Sequence, residues 1–401
     1  MVVMKPPEET VSSGVSRGGT TFVLSPLPEP RAIIRSLTMP PSSGARWTTG
    51  QESVVRLFAR GTHALTAGVD AVLRKTKATA LTLWAPGYFC YPVLSLVRQL
   101  PVRLRFYPVL EDLSPDWDHI DPPAIAADQA QAFLLVHFFG FPGPAEQARA
   151  FCDRHRMVLI EDAVHVLLPE SVPAVGDMRI LSPHKVLAVP SVGILVSSPQ
   201  WATSLAEVPT EPEWQASAIW LAKRLVQAAA MRLHVPWHRL KRNALGTVTP
   251  PADRGPLGKE NSFALKLLSS MEREVPRFAE LRTNNYRRLV QQLAHVSGIR
   301  PLFPTVPEGV CPMALPLLAP GGGDILVDRL RRAGVAAGQF DEIPPELSSE
   351  PGSHNVAIKF YEQLVWVPTH QSLSSRQIDE IGGRVAAAAT PAREFIGDSI
   401  E

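Results

Sequence analysis

Four short apolar runs, at 81–84, 104–107, 131–137 and 157–160, most constrain what this chain can fold into, because helix-like or turn-rich sequence separates each from the next. Strands alternating with such crossovers lie side by side in one direction beneath covering helices. The expected fold class is therefore α/β, with a mostly parallel sheet. Residues 92–100 and 144–156 read as two of the helices, and 51–75 reads as another, with Gly61 interrupting it where a helix amino terminus can begin. A long helical pattern over 261–293 leads out of this region. Beyond it, an apolar stretch at 315–318, a helix at 324–333, a strand at 365–367 and a helix at 374–389 make a smaller α+β unit. Ser374 and Gln377 have the spacing of a capping box for the last helix.

The run at 157–160 ends in Glu161 and Asp162, so Asp162 sits at the carboxyl end of a parallel strand, where open α/β sheets place their ligands. A carboxylate shielded there needs a cation or a donor. Downstream, Leu181-Ser182-Pro183-His184 leads to Lys185. A carboxylate and an amine that meet one small molecule from opposite sides are what pyridoxal phosphate requires, since its ring nitrogen must be protonated and its aldehyde held by an amine. Taken singly, each has a plainer reading, a loop or capping Asp and a surface Lys.

The chain resembles the DegT/DnrJ/EryC1/StrS family of fold-type I pyridoxal-phosphate enzymes, mostly sugar aminotransferases. Glu161-Asp162-Ala163-Val164-His165 matches the family's Glu-Asp-Ala-Ala-Gln/His segment, and Gly176-Asp177 with Ser182 and Lys185 matches its Gly-Asp, Ser and Lys. Gly61-Thr62-His63-Ala64-Leu65 is similar to its phosphate-binding segment, and Pro86-Gly87-Tyr88 to its Pro-x-Tyr. Val136-His137-Phe138-Phe139-Gly140 resembles a family strand end, and residues 364–371 its last small-domain strand and loop. Order and spacing hold from about Arg60 to Val385. There are departures. Ser182 stands three residues before the lysine instead of five, and the family's Asn-Tyr-Arg-Met segment, which completes the neighbouring subunit's site, is not evident around Gly258 to Ser262.

The resemblance implies a seven-stranded-type sheet with helices on both faces, plus the smaller C-terminal α+β domain. It implies that Lys185 holds the cofactor and moves a proton, that Asp162 meets the ring nitrogen, and that Gly61, Thr62 and Ser182 hold the phosphate. His165 would hydrogen-bond near the phenolic oxygen. Phe89 is the candidate for stacking on the ring, with its neighbours in Tyr88-Phe89-Cys90-Tyr91 left open. His184 adjoins the lysine only in sequence and is left out of the site. The strand at 192–196 is expected at the sheet's edge, antiparallel, with Pro190 and Gly193 allowing tight turns near the cofactor. The implied activity is transfer of an amino group from an amino-acid donor, glutamate, to the keto group of a nucleotide-linked sugar or biosynthetic ketone, in a homodimer. Two alternatives stand beside it: another pyridoxal-phosphate reaction such as elimination or dehydration, and a catalytically silent scaffold.

A length of 401 residues suits a large domain with a smaller one. The expected division is a flexible Pro- and Ser-rich arm at 1–45, a large cofactor-binding domain at 46–255, and a connecting helix with the small domain at 256–401. Residues 213–242 form a basic amphipathic helical segment, read first as packing surface and second as a site for a lipid-linked or anionic substrate. A net charge of +2 predicts no strong pull on nucleic acid or membrane. Neither a transmembrane span nor a signal core is evident. Cys90, Cys152 and Cys311 are too few and scattered for a disulfide framework or a metal cluster, which points to a reducing cytoplasm.

Overall fold

The apolar runs become strands because each finds hydrogen-bonding neighbours. The structure is a computed structural model, and it describes residues 22–49, 54–124, 126, 128–212, 215–232, 257–259, 261–349 and 351–390. Seven strands form the main sheet: β1 (Val54–Phe58), β2 (Ala80–Pro86), β3 (Val102–Tyr107), β4 (Gln129–Val136), β5 (Val158–Asp162), β6 (Met178–Leu181) and β7 (Gly193–Ser197). Their order is β1-β7-β6-β5-β4-β2-β3. Neighbours from β3 through β6 are parallel, while β7 runs antiparallel to both β6 and β1.

Alternation along β7 shows how both faces are covered. Leu195 points at the helix α2 (Gly61–Thr76), whose Gly68 lies against it and against Met178 and Ile180. Ile194 and Val196 point the other way, into a second core that includes Leu265, Leu268 and Met271 of the helix Ser262–Glu272, together with Phe278 of the helix that follows. A strand buried on both faces cannot show polar alternation, which is why it reads as a plain apolar run.

Several expectations are corrected. Residues 54–58, read as the start of a helix, are strand β1, because pairing with β7 and the β-branched pair Val54-Val55 outweigh a weak helical pattern. β1 therefore takes the edge position expected for β7. The stretch at 92–100 is two short 3-10 turns, Tyr91–Ser95 and Val97–Gln99, since the chain must reverse quickly from β2 into β3. The pattern over 261–293 is two helices, Ser262–Glu272 and Val275–Leu293; Pro276 in the first turn of the second lacks the N–H that a continuous helix would use.

The arm is also corrected where it is described. Phe22 is fully buried and bonds through its backbone to Gly334 and Ala336 of the small domain, and Val23 O accepts from His370. The helix α1 (Pro30–Ser36) is pinned to the Val275–Leu293 entry by the Arg35–Glu274 ion pair at 3.1 Å. Residues 1–21 lie outside the described part, as do 213–214 and 233–242 of the basic segment, whose described portion is the helix Gln215–Arg232.

The small domain carries a three-stranded antiparallel sheet, Arg300–Pro301, Ala314–Leu318 and Leu364–Pro368, under helices Gly323–Arg332 and Ser375–Ala389. Ser374 and Gln377 form the capping box: the Gln377 side chain accepts from the Ser374 N–H at 2.9 Å, and the Ser374 hydroxyl accepts in return. Among the described residues, no helix is long and apolar enough to cross a membrane, and no group of His, Cys, Asp or Glu is placed to hold a metal ion.

Candidate active site

Apart from Gly176-Asp177, which precedes β6, the motifs found in the main sheet's part of the sequence lie at the carboxyl end of a strand or at the helix mouth beside it, on one edge of the sheet. β5 ends in Glu161 and Asp162, and the period of two sends these carboxylates to opposite faces. Glu161 is wholly buried and structural: it accepts from the N–H groups of Val175 and Gly176 at 2.9 and 2.8 Å and pairs with Arg179 at 2.8 Å. Asp177 is structural too, accepting from Leu159 N–H and pairing with Arg149, both at 2.9 Å. These two carboxylates fasten the loop that leads from β5 into β6 and so determine where Lys185 emerges.

Asp162, on the other face, has a different environment. It is buried, accepts one backbone N–H from Val164 at 3.1 Å, and has no ion pair among the described residues. Burial raises its pKa; the positive charge of Lys185 is the largest opposing influence, followed by the Val164 N–H and His137.

Lys185 closes a 3-10 turn, Pro183–Lys185, directly after β6. Its Nζ lies 3.3 Å from Nε2 of His165. His165 is buried, and its Nδ1 accepts the N–H of Phe139 at 3.2 Å, so the network assigns the proton to Nε2. Burial first, and Lys185 second, hold the His165 pKa well below its usual value, so the ring stays neutral. Nε2 thus presents a donor at the spot beside anything bonded to the lysine. Two left-handed residues, Phe139 and Gly140, set this up by turning the chain sharply after β4. A side chain on Gly140 would stand 2.6 Å from Cys311 O.

The phosphate-binding candidates also converge. Gly61 opens α2, and a Cβ placed on it would stand 3.0 Å from Ser182 Oγ, so the shorter Ser-to-Lys spacing still delivers the hydroxyl to the helix amino terminus. Thr62 lies in the same first turn, its carbonyl accepting from Thr66 Oγ1 at 2.9 Å. Gly193 makes this approach feasible, since a Cβ there would lie 2.1 Å from Arg60 O.

Phe89 follows β2 and is buried. Its N–H donates to Tyr361 Oη at 3.0 Å and its carbonyl accepts from the same hydroxyl at 2.8 Å. Tyr88 packs instead against Phe138, Phe340, Phe360 and Tyr361. Cys90 feels Lys185 and Asp162, yet burial is the dominant influence and raises its thiol, as a packed core cysteine would show.

Sequence reading missed three neighbours of these residues. Tyr361 anchors Phe89 from the small domain. Arg282, buried, donates to Gln371 Oε1 at 2.7 Å and Met313 O at 2.9 Å, and Gln371 in turn donates to Val186 O at 3.2 Å, bracing the residue after the lysine. His184, left out of the expected site, lies beside one of its candidates: its Nδ1 is 3.0 Å from Ser182 Oγ. No local pattern announces any of these contacts, because each joins segments distant in sequence or depends on the turn at Pro183.

No family model and no curated protein matches the sequence. Solved structures do. The aminotransferase TlmJ from Streptoalloteichus hindustanus is 19% identical, with 92% of this chain and 98% of that one covered and a TM-score of 0.64. A DegT DnrJ EryC1 StrS aminotransferase from Brucella abortus is 16% identical, covering 89% and 94% at a TM-score of 0.62. DesI, solved in the presence of its TDP-sugar product, is 16% identical, covering 94% of each chain at 0.65. The chain therefore has the fold of the DegT/DnrJ/EryC1/StrS aminotransferases, a mostly parallel seven-stranded sheet joined to a smaller C-terminal α+β region.

Proposed function

We propose that this chain is a pyridoxal-phosphate-dependent aminotransferase, carrying an amino group from an amino-acid donor, glutamate, to the keto group of a nucleotide-linked sugar or related biosynthetic ketone. The observation that carries the reading is the buried Asp162, unpaired among the described residues, in the electrostatic field of Lys185, at strand ends that also present the Gly61–Ser182 cradle. The residues fit the cofactor: a carboxylate for a ring N–H, an amine for an aldehyde, and a helix amino terminus with a hydroxyl for a phosphate. Another protein of this fold has been solved in both PLP and PMP forms.

Pyridoxal phosphate, when bound, supplies an electron sink for charge developing at the donor's Cα. Lys185 would hold the cofactor through its amine, and its Nζ would be the base that moves the proton at the donor's Cα. Asp162 would face the ring nitrogen, where a negative charge favours its protonated form. His165 Nε2 would be the donor for the phenolic oxygen, and Phe89 would cover the ring. Gly61, Thr62 and Ser182 hold the phosphate. The chain works as a homodimer in the cytoplasm, with small-molecule substrates and no nucleic acid.

The test is a half-reaction screen. The yellow cofactor-loaded protein should lose its colour with an amino donor and regain it with a keto-sugar, and Lys185→Ala should abolish both the visible absorbance and turnover while leaving the fold intact. Retained turnover in that variant, or a protein that stays colourless with added cofactor, would sink the proposal and leave the scaffold reading.

A further inference from the structure

We infer that His184 is a positioning residue that aims the Ser182 hydroxyl at the cofactor's phosphate, replacing what the shortened loop would otherwise lose. The inference rests on the pyridoxal-phosphate reading above. Ser182 is buried, its Oγ lying 3.0 Å from His184 Nδ1 and 3.3 Å from Val192 O, which accepts from it. The hydroxyl also borders Gly61 at the amino terminus of α2, a sixteen-residue helix. Ser182 immediately precedes the 3-10 turn Pro183–Lys185, and its carbonyl accepts the Lys185 N–H at 3.0 Å, so a single turn separates the hydroxyl from the lysine despite the unusual spacing.

A serine hydroxyl has one proton and cannot donate both to Val192 and to an anion. The Val192 contact is long, so it is the weaker claim on that proton. If His184 donates from Nδ1 to the Ser182 oxygen, the hydroxyl proton is released outward, giving a chain of donors, imidazole to hydroxyl to phosphate, in which each bond polarises the next. The ring must stay neutral and in one tautomer for this. Burial first, then the charge of Lys185, with Arg224 and Arg60 adding to it against the Val192 backbone bond, brings the His184 pKa down to about 4. Among the described residues, the charged groups that act on His184 are Lys185, Arg224 and Arg60, all cationic. That surrounding favours an anion at the hydroxyl.

The experiment compares the full-length protein, stripped of cofactor, with Ser182→Ala, His184→Ala, His184→Asn and the Ser182→Ala/His184→Ala pair, titrated with pyridoxal phosphate and, separately, with pyridoxal, which lacks the phosphate. Ser182→Ala and His184→Ala should each weaken pyridoxal phosphate by about tenfold, the scale of a charge-assisted hydrogen bond. The double variant should be no weaker than the worse single one, because the two act as a unit. His184→Asn, whose amide can donate from nearly the same place, should recover most of the loss. Pyridoxal binding should be the same in all of them. Unchanged phosphate-ester affinity in His184→Ala, additive losses, or an equal loss for pyridoxal would overturn the inference. Should His184→Ala not fold, nitrogen NMR of histidine-labelled protein decides: the resonance missing in His184→Asn must move with pyridoxal phosphate and not with pyridoxal, and a resonance indifferent to both overturns it. If the unaltered chain binds no pyridoxal phosphate at all, the reading of the whole site falls, and this inference with it.

Discussion

Replacing Gly193 by Ala should damage the cofactor site more than the fold. The added Cβ would lie 2.1 Å from Arg60 O and 2.8 Å from Gly61 N, where real contacts of this kind essentially never come below 3.0 Å, so something must give by about 0.9 Å. β7 is hydrogen-bonded on both sides, to β1 and β6, and resists the shift. The Arg60–Gly61 turn is the softer partner, and it carries the amino terminus of α2 away from Ser182. Overpacking of this kind costs about 1–3 kcal/mol of stability. A displacement of roughly 1 Å in a positioning group costs on the order of a hundredfold in rate. Urea unfolding of cofactor-free protein, pyridoxal phosphate titration and single-turnover donor kinetics would measure the three consequences. Gly68→Ala is the control: its Cβ meets only side-chain ends, those of Leu195 and Met178 at 3.3 Å and of Ile180 farther off, and helix propensity favours Ala there, so it should stay within about 1 kcal/mol of the parent with unchanged affinity. If Gly193→Ala matched the parent in stability and cofactor affinity, the argument that this glycine creates the approach of α2 to Ser182 would be wrong.

Three more expectations concern single residues. Asp162→Asn should still bind cofactor, yet slow the donor half-reaction by orders of magnitude, because the neutral amide no longer favours a protonated ring nitrogen; unchanged stopped-flow rates would make Asp162 structural. Glu161→Gln leaves Arg179 buried without its counter-charge and should cost about 3–5 kcal/mol, read as a lower urea midpoint. The same residue predicts a pH dependence: burial disfavours the charge, but the interactions with His137 and Arg179 prevail and set the folded pKa below the ordinary carboxyl value. Its contribution is therefore present above the unfolded pKa and lost as pH falls through the folded one, so acid should destabilise the parent more steeply than Glu161→Gln, and parallel pH profiles would refute it. Ser374→Ala removes the hydroxyl of the capping box and should cost about 1 kcal/mol in thermal or urea unfolding, without touching cofactor affinity.

The alternation of apolar runs with helical stretches made the parallel sheet legible in the sequence, because buried strands and crossover helices impose different periods on side chains over short distances. So were Asp162, placed by its position at a strand end, and the last helix, whose capping box is a local hydrogen-bonding pattern. Motif order brought Gly61, His165, Ser182 and Lys185 into one expected site, though not their distances. Tertiary structure alone decided the rest. Val54–Phe58 is a strand only because β7 lies beside it, and the reach of the chain from Phe22 onward is ordered only because the small domain accepts its backbone bonds. His184 comes beside Ser182 through a turn whose geometry depends on Pro183, and Arg282 and Tyr361 arrive from helices far along the chain. Local sequence carries periodicity and capping, whereas burial, hydrogen-bond partners and the field on a titratable group come from residues that only folding makes neighbours.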